Sequence, residues 1–336
     1  MIKVALDVMG GDHAPQAVIE GGLLALAELA DLHISFVGPQ AVLGKYLDSN
    51  KYDQKRAALI QAEEIVADDE APVLAVRRKK KSSMMVALQM LREKKVDAVV
   101  SAGNTGALMA GSILLTGRVK GIERPALTIV LPTFEGGNVV LLDVGANMDA
   151  KAEHLLHYAI MGKIYAQKVL GKAAARVGLL NVGSEEIKGN EQVKKAYQLL
   201  KEKLPGFTGN VEARYVLAGA ADVIVCDGFV GNILLKTLEG LVAGLFGSLK
   251  EAMMADLKGK VAASLLRPEL SKLKASLDYT EYGGAPLLGA AGVCIKAHGS
   301  SNARAIRSAI VNQAYQYARQ NVNELIEREL SALFTD

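Results

Sequence analysis

The nine residues Asp7-Val8-Met9-Gly10-Gly11-Asp12-His13-Ala14-Pro15 follow an apolar run, Ile2 to Leu6, and precede a helical pattern marked by Val18, Ile19, Leu23, Leu24, Leu26 and Ala27. They read as a strand-to-helix turn. Two glycines allow a tight turn and close backbone approach, and Pro15 stands where a first helical residue belongs. A helix start behind a Gly-rich turn presents free N–H groups, which suits phosphate or carboxylate. A plain βα connection has the same spelling, so the turn gains weight only because similar turns recur.

They recur at regular intervals. Leu32 to Val37 reads as a strand closed by Gly38-Pro39, a helix runs from Gln40 to about Asp48, and a further strand lies near Ala58 to Ala62. Val96 to Val100 reads as a buried strand passing through Ser101-Ala102-Gly103-Asn104-Thr105-Gly106-Ala107 into the helix Leu108 to Leu115. Here hydroxyls and an amide join the backbone donors. Ala126 to Leu131 and Val139 to Leu142 pair across a hairpin turn, and Asp143-Val144-Gly145-Ala146-Asn147 leads to a helical region from Ala152 to Leu170. Val177 to Leu180 and Asp222 to Val225 are further strands, the latter followed by Cys226-Asp227-Gly228-Phe229-Val230-Gly231-Asn232 and a helix from Ile233 to Leu249. Leu287 to Ile295 reads as one strand before His298-Gly299-Ser300-Ser301. The rhythm predicts an α/β fold, a three-layer α/β/α unit over residues 1–336 with a mixed, mostly parallel sheet. Ligands of such sheets bind beyond the strand ends, so the polar turns are expected to converge on one site.

The interval 245–277 departs from this pattern. Leu245, Leu249, Met253, Leu257, Val261 and Leu265 recur every fourth residue, Pro268 interrupts, and Leu270, Leu273 and Leu277 resume. This reads as an inserted helical hairpin, made basic by residues such as Lys258, Lys260, Lys272 and Lys274. An anionic lipid surface or a dimer interface would accept it. The run Arg77-Arg78-Lys79-Lys80-Lys81, ahead of Ser82-Ser83, is either a solvated face or a contact for an anionic partner.

Composition removes several classes. In 336 residues, half of them hydrophobic, the net charge of +3 and the absence of Trp disfavour nucleic acid. Cys226 and Cys294 both lie in apolar runs, and Asp7 interrupts the first apolar segment early, so a cytoplasmic chain without a signal peptide is expected. No uninterrupted apolar window approaches the ~18 residues of a membrane span. His13, His33, His154, His157 and His298 contain one close pair, His154 and His157, without nearby partners, so no metal is expected. The nucleophile elbow, the Walker loop and the dinucleotide fingerprint are missing. Cys226 reads as an inert buried thiol, since neighbouring Asp227 would raise its pKa.

The turns at Asp7, Ser101, Asp143, Cys226 and His298, in this order and spacing, resemble the bacterial acyl-carrier-protein:phosphate acyltransferases of phospholipid synthesis. The resemblance covers essentially the whole chain, and none of the five motifs departs from the family pattern. It implies reversible transfer of a long-chain fatty acyl group from acyl carrier protein to inorganic phosphate, yielding acyl phosphate for a membrane glycerol-3-phosphate acyltransferase. It also implies a fold similar to phosphotransacetylases and isocitrate or isopropylmalate dehydrogenases, no cofactor, and a cytoplasmic homodimer attached peripherally to the membrane. A dehydrogenase of the same fold and a non-catalytic scaffold between carrier protein and membrane are the rivals.

The reaction needs phosphate held against a thioester carbonyl and an oxyanion stabilised by oriented donors. From turn chemistry and the matching motifs, Gly10, Gly11, Gly103, Asn104, Thr105, Gly106 and Arg124 are the candidate phosphate ligands. Asp227, Asn232, Lys236 and Asp12 are the candidate catalytic residues. Arg77, Arg78 and Lys79, with the hairpin lysines, are the candidate contacts to the acidic carrier protein or to membrane.

Overall fold

The structure is a computed structural model that describes residues 1–47, 52–277 and 282–333. In chain order the elements are β1 (Ile2–Asp7), α1 (Gln16–Glu28), β2 (Leu32–Gly38), α2 (Gln40–Leu47), β3 (Ala57–Gln61), α3 (Pro72–Arg78), α4 (Ser83–Arg92), β4 (Ala98–Ser101) and α5 (Thr105–Thr116). There follow β5 (Ala126–Pro132), β6 (Asn138–Leu142), α6 (Ala152–Lys168), β7 (Val177–Asn181), α7 (Glu191–Lys203), β8 (Phe207–Glu212), β9 (Val223–Val225), α8 (Gly228–Met254) and α9 (Leu257–Ser276). The chain closes with β10 (Ala285–Leu288), β11 (Val293–Lys296), α10 (Ala303–Ser308), a π-helical stretch (Ala309–Tyr315), α11 (Gln316–Arg319) and α12 (Val322–Leu333). The expected end of α2 near Asp48 lies outside the described residues.

Among the described residues one continuous sheet carries eleven strands in the order β3-β2-β1-β4-β11-β10-β5-β6-β9-β7-β8. Its two flanks are parallel blocks, and β10 and β5 join them through three antiparallel pairings, β11 with β10, β10 with β5 and β5 with β6. Three reversals leave the blocks running in opposite directions. Alternate strand residues feed opposite faces. Val4, Leu6, Ile34 and Phe36 meet α1 and the closing helices, while Val37, Val99 and Cys294 meet α4 and α5. Across the other block, Val140, Val177 and Val223 pack under α6 and α7, and Leu141, Ile224 and Leu127 lie under the start of α8. The architecture is the expected α/β/α sandwich with a mixed, mostly parallel sheet.

Three expectations need correction. The stretch 287–295 is two antiparallel strands, β10 and β11, turned around Gly289 at φ +87°. An apolar run that contains a turn spells like one longer strand. β8, which pairs with β7, was not anticipated at all. The hairpin also turns earlier than Pro268 suggested: α8 ends at Met254, Asp256 Oδ1 accepts the Gly259 N–H at 2.6 Å, and Pro268 lies inside α9.

α8 is long and apolar enough to cross a membrane, contrary to the count of uninterrupted apolar residues, which a few scattered charges defeat. Its start is nonetheless seated on the sheet through Gly228, Gly231 and Leu235. Beyond that seat the hairpin is open to solvent: Leu245 is 60% exposed, Leu257 78% and Leu265 76%.

Candidate active site

Three turns of the first block pack directly on one another. β1 and β11 each pair with β4, so their C-terminal ends emerge side by side. A β-carbon on Gly10 would fall 2.5 Å from the Gly103 nitrogen, and one on Gly11 (φ +97°) would fall 2.9 Å from both Ala102 Cβ and the Gly299 carbonyl oxygen. These glycines therefore serve the contact between turns, where only a residue without Cβ fits. The Asp12 N–H donates to the Gly299 carbonyl at 2.8 Å, and buried Asp7 accepts the Ser101 hydroxyl at 2.6 Å. Burial raises the Asp7 pKa, against the opposing effects of its hydrogen bonds and of Lys296.

Beside this junction lies a cavity of about 350 Å³. Thr105, Lys296, His298, Gly299 and Ser301 line it from the first block. Asn232, Lys236 and Glu239 come from α8, and Leu127, Ile129, Val144, Met148 and Leu235 supply an apolar wall. One side is thus polar and suited to an anion, the other suited to hydrocarbon. At the polar side stands the start of α5. Its Ala107 N–H is taken by the Asn104 side chain at 2.9 Å, while the N–H groups of Thr105 and Gly106 have no acceptor among the described residues.

Lys296 is the residue that sequence reading missed. It ends β11 and extends its amine to the carbonyls of Ala102, at 2.9 Å, and Ala297. Burial pushes its pKa down to about 8, opposed by the charges of Asp68, Asp7 and Asp12. As long as 287–295 reads as one strand, nothing marks Lys296. The two-strand arrangement sets it opposite Ala285, with β11 parallel to β4. His298 also lines the cavity, its Nδ1 2.8 Å from the Ser300 hydroxyl.

The sequence candidates divide. Thr105, Asn232 and Lys236 line the cavity, Lys236 paired with Glu239 at 2.8 Å. Asp12 lies on the Gly299 side within electrostatic reach of Lys296, whereas His13 lines a separate depression with Pro15, Gln16 and Arg304. The start of α1 opens onto that depression too, so the helix start that faces the cavity is that of α5. Asn104 is committed elsewhere. Its Nδ2 donates to the carbonyls of Ala67, Asp68 and Glu70 at 3.0–3.2 Å, which leaves its side chain no free donor for phosphate. Gly106 lies against Pro72, where a β-carbon would come within 2.5 Å of the ring. Arg124 is exposed at the start of β5 and is not among the residues lining the cavity.

Asp227 caps α8, its Oδ1 accepting the Val230 N–H at 2.8 Å. It lines a second cavity, of about 590 Å³, with Leu179, Leu180, Cys226, Ile233 and Thr237. The polar turns therefore do not all converge. The turns after β7 and β9 open on the other flank of α8, whose opposite faces carry Asn232 and Lys236 to the first cavity and Ile233 and Thr237 to the second. The Asp143 turn is held by its own carboxylate, which takes N–H groups of Leu127, Gly145, Ala146 and Asn147, yet Val144, Gly145 and Met148 reach the first cavity. Burial first, then Asp227 and Asp143, push the Cys226 thiol well above its usual range, which opposes a thiolate nucleophile there.

Among the basic residues, Lys79 is paired with Glu70 and donates to the Ile65 carbonyl at 2.7 Å. Arg77 and Arg78 are exposed on the last turn of α3, as are Lys258, Lys260, Lys272 and Lys274 on α9. Among the described residues no His, Cys, Asp or Glu cluster is arranged to hold a metal ion.

A family model described as fatty acid synthesis protein matches residues 2–325. The chain belongs to that family. A phosphate acyltransferase from Brevibacillus brevis is 50% identical over 329 residues, covering 98% of this chain and 97% of that one. The fatty acid synthesis family thus includes acyltransferases, and the chain is an enzyme of that class. Among solved structures, a phosphotransacetylase from Streptococcus pyogenes aligns over 95% of this chain and 94% of its own, with a TM-score of 0.60 at 15% identity. A branched-chain phosphotransacylase from Enterococcus faecalis V583 aligns over 94% and 99%, with a TM-score of 0.57 at 13% identity. These two likenesses concern the fold.

Proposed function

We propose that the chain transfers a long-chain fatty acyl group, reversibly, from the thioester of acyl carrier protein to inorganic phosphate, producing acyl phosphate. The observation that carries this reading is the two-sided cavity. Its polar side offers the free N–H groups at the start of α5, a fit for phosphate, and its apolar wall receives the first carbons of an acyl chain. Phosphate is anionic and nucleophilic near neutral pH, so the site has only to position it and stabilise the oxyanion. Asn232 and Lys236, on the opposite side, are placed to polarise the thioester carbonyl.

Exposed Arg77, Arg78 and Lys80 beside apolar Val73 and Leu74 make a surface suited to an acidic carrier protein. The α8–α9 hairpin, with its exposed leucines and lysines, suits an anionic membrane face. Such contact would make the enzyme a peripheral cytoplasmic protein that passes acyl phosphate to a membrane glycerol-3-phosphate acyltransferase, and a homodimer is part of this proposal. The test mixes palmitoyl carrier protein with the enzyme and follows free carrier thiol. Thiol release that depends on phosphate is expected; release indifferent to phosphate, or none, would sink the reading.

A further inference from the structure

Acyl transfer from a thioester leaves a thiolate that must take up a proton, and the carboxylates near the cavity are poor sources. Asp12 is exposed, Asp7 accepts the Ser101 hydroxyl, and Glu239 is paired with Lys236. Lys296 is differently placed. Its ammonium has three N–H bonds, of which two point to the Ala102 and Ala297 carbonyls, leaving one for the cavity that the side chain lines. Those carbonyls fix the amine at the junction of the β4 and β11 turns, beside the α5 start assigned to phosphate. From this geometry we infer that Lys296 is the general acid that protonates the departing thiolate.

The inference rests on the acyl-transfer reading and deepens it. In the step, an oxygen of the phosphate dianion forms the new C–O bond while the carbonyl π pair moves onto its oxygen. That pair returns as the C–S bond breaks, and the C–S electrons leave on sulfur. The Lys296 N–H proton passes to sulfur. The neutral amine regains a proton from the P–OH group of the acylated phosphate, so acyl phosphate and free thiol form with no further reactant. Attack by the Lys296 nitrogen itself would give an amide, from which phosphate could not displace an amine. A lysine lowered to about 8 stands close to a free thiol, about 8.5, so the transfer is nearly balanced. The charged and titratable groups around it are Asp7 from β1, Asp12 from the first turn, Asp68 from the loop before α3, His298 from its own turn, and Lys236 and Glu239 across the cavity.

The experiment compares palmitoyl carrier protein with palmitoyl thiophenyl ester, whose thiolate leaves without help, in the wild type, Lys296→Met and Lys296→Arg. Arginine keeps the charge but holds its proton far above this range. Expected for both variants is a kcat loss of roughly 10²–10⁴-fold on the carrier thioester, largely restored on the thiophenyl ester, with KM for phosphate little changed. Wild-type kcat on the carrier thioester should fall as pH rises through about 8. That limb should vanish on the thiophenyl ester, a test that needs no variant should either fail to fold. A raised phosphate KM with intact kcat would make Lys296 a phosphate ligand instead, and equal losses on both esters would overturn its role as acid. If the wild type shows no phosphate-dependent release, the parent reading fails; if only the leaving-group dependence is missing, the Lys296 assignment fails alone.

Discussion

Gly10 and Gly103 approach so closely that a β-carbon on the first would lie 2.5 Å from the backbone nitrogen of the second. Two turns 93 positions apart thereby pack on one another beside the site, and neither backbone can yield without moving a strand end. Gly10→Ala is expected to cost about 1–3 kcal/mol in urea unfolding, by overpacking. Gly244→Ala, where nothing lies within 4 Å in α8, should be neutral or stabilising by up to about 1 kcal/mol. Equal effects of the two would show that the turns do not pack as described.

Asn104 holds the loop before α3 to the start of α5. Asn104→Ala removes a helix cap, worth about 1 kcal/mol, and strands three carbonyls, so a larger total loss is expected. Denaturation will measure it. Asn104→Asp keeps the cap but not the donors and should fall between the two.

Asp227 is assigned to capping. Asp227→Asn should leave activity within about twofold, because Asn caps equally well, while Asp227→Ala should lose about 0.5–2 kcal/mol of stability. Loss of turnover in a folded Asp227→Asn enzyme would return the carboxylate to the catalytic set.

Asp222 ties β9 to the segment after α6. Burial would raise its pKa, but the Arg176 N–H at 2.9 Å, Lys172 at 3.0 Å and the Arg176 side chain at 3.1 Å hold it below its ordinary 3.8. A depressed carboxylate stabilises the fold fully above the unfolded-state value, and that contribution disappears as pH falls through the folded-state value. Asp222→Asn should therefore be less stable than wild type at pH 7 by about 1–3 kcal/mol, and the gap should close below pH ~3.8.

The hairpin prediction concerns binding. Replacing Lys258, Lys260, Lys272 and Lys274 by Gln should weaken sedimentation with phosphatidylglycerol vesicles, at about 1 kcal/mol per removed charge, and spare activity in solution. Unchanged sedimentation, with a shift in oligomeric state on mutating Leu257 and Leu265, would assign this face to a second copy.

The sequence by itself determined the layers and most of the strands. Apolar period and Gly-bearing turns are local properties, so β1, β4, the β5–β6 hairpin and α6 could be read directly, as could the family pattern in the polar turns. Strand direction and neighbourhood are not local. Asp227 and Lys236 stand on opposite faces of α8, and which cavity each face meets is decided only when α8 seats on the assembled sheet, which no single segment encodes. Side-chain commitments are equally non-local: Asn104 looked free until the loop at Ala67–Glu70 folded against it. Lys296 shows both limits, because only the turn at Gly289 and the pairing of β11 with β4 turn a lysine after an apolar run into an ammonium at the cavity.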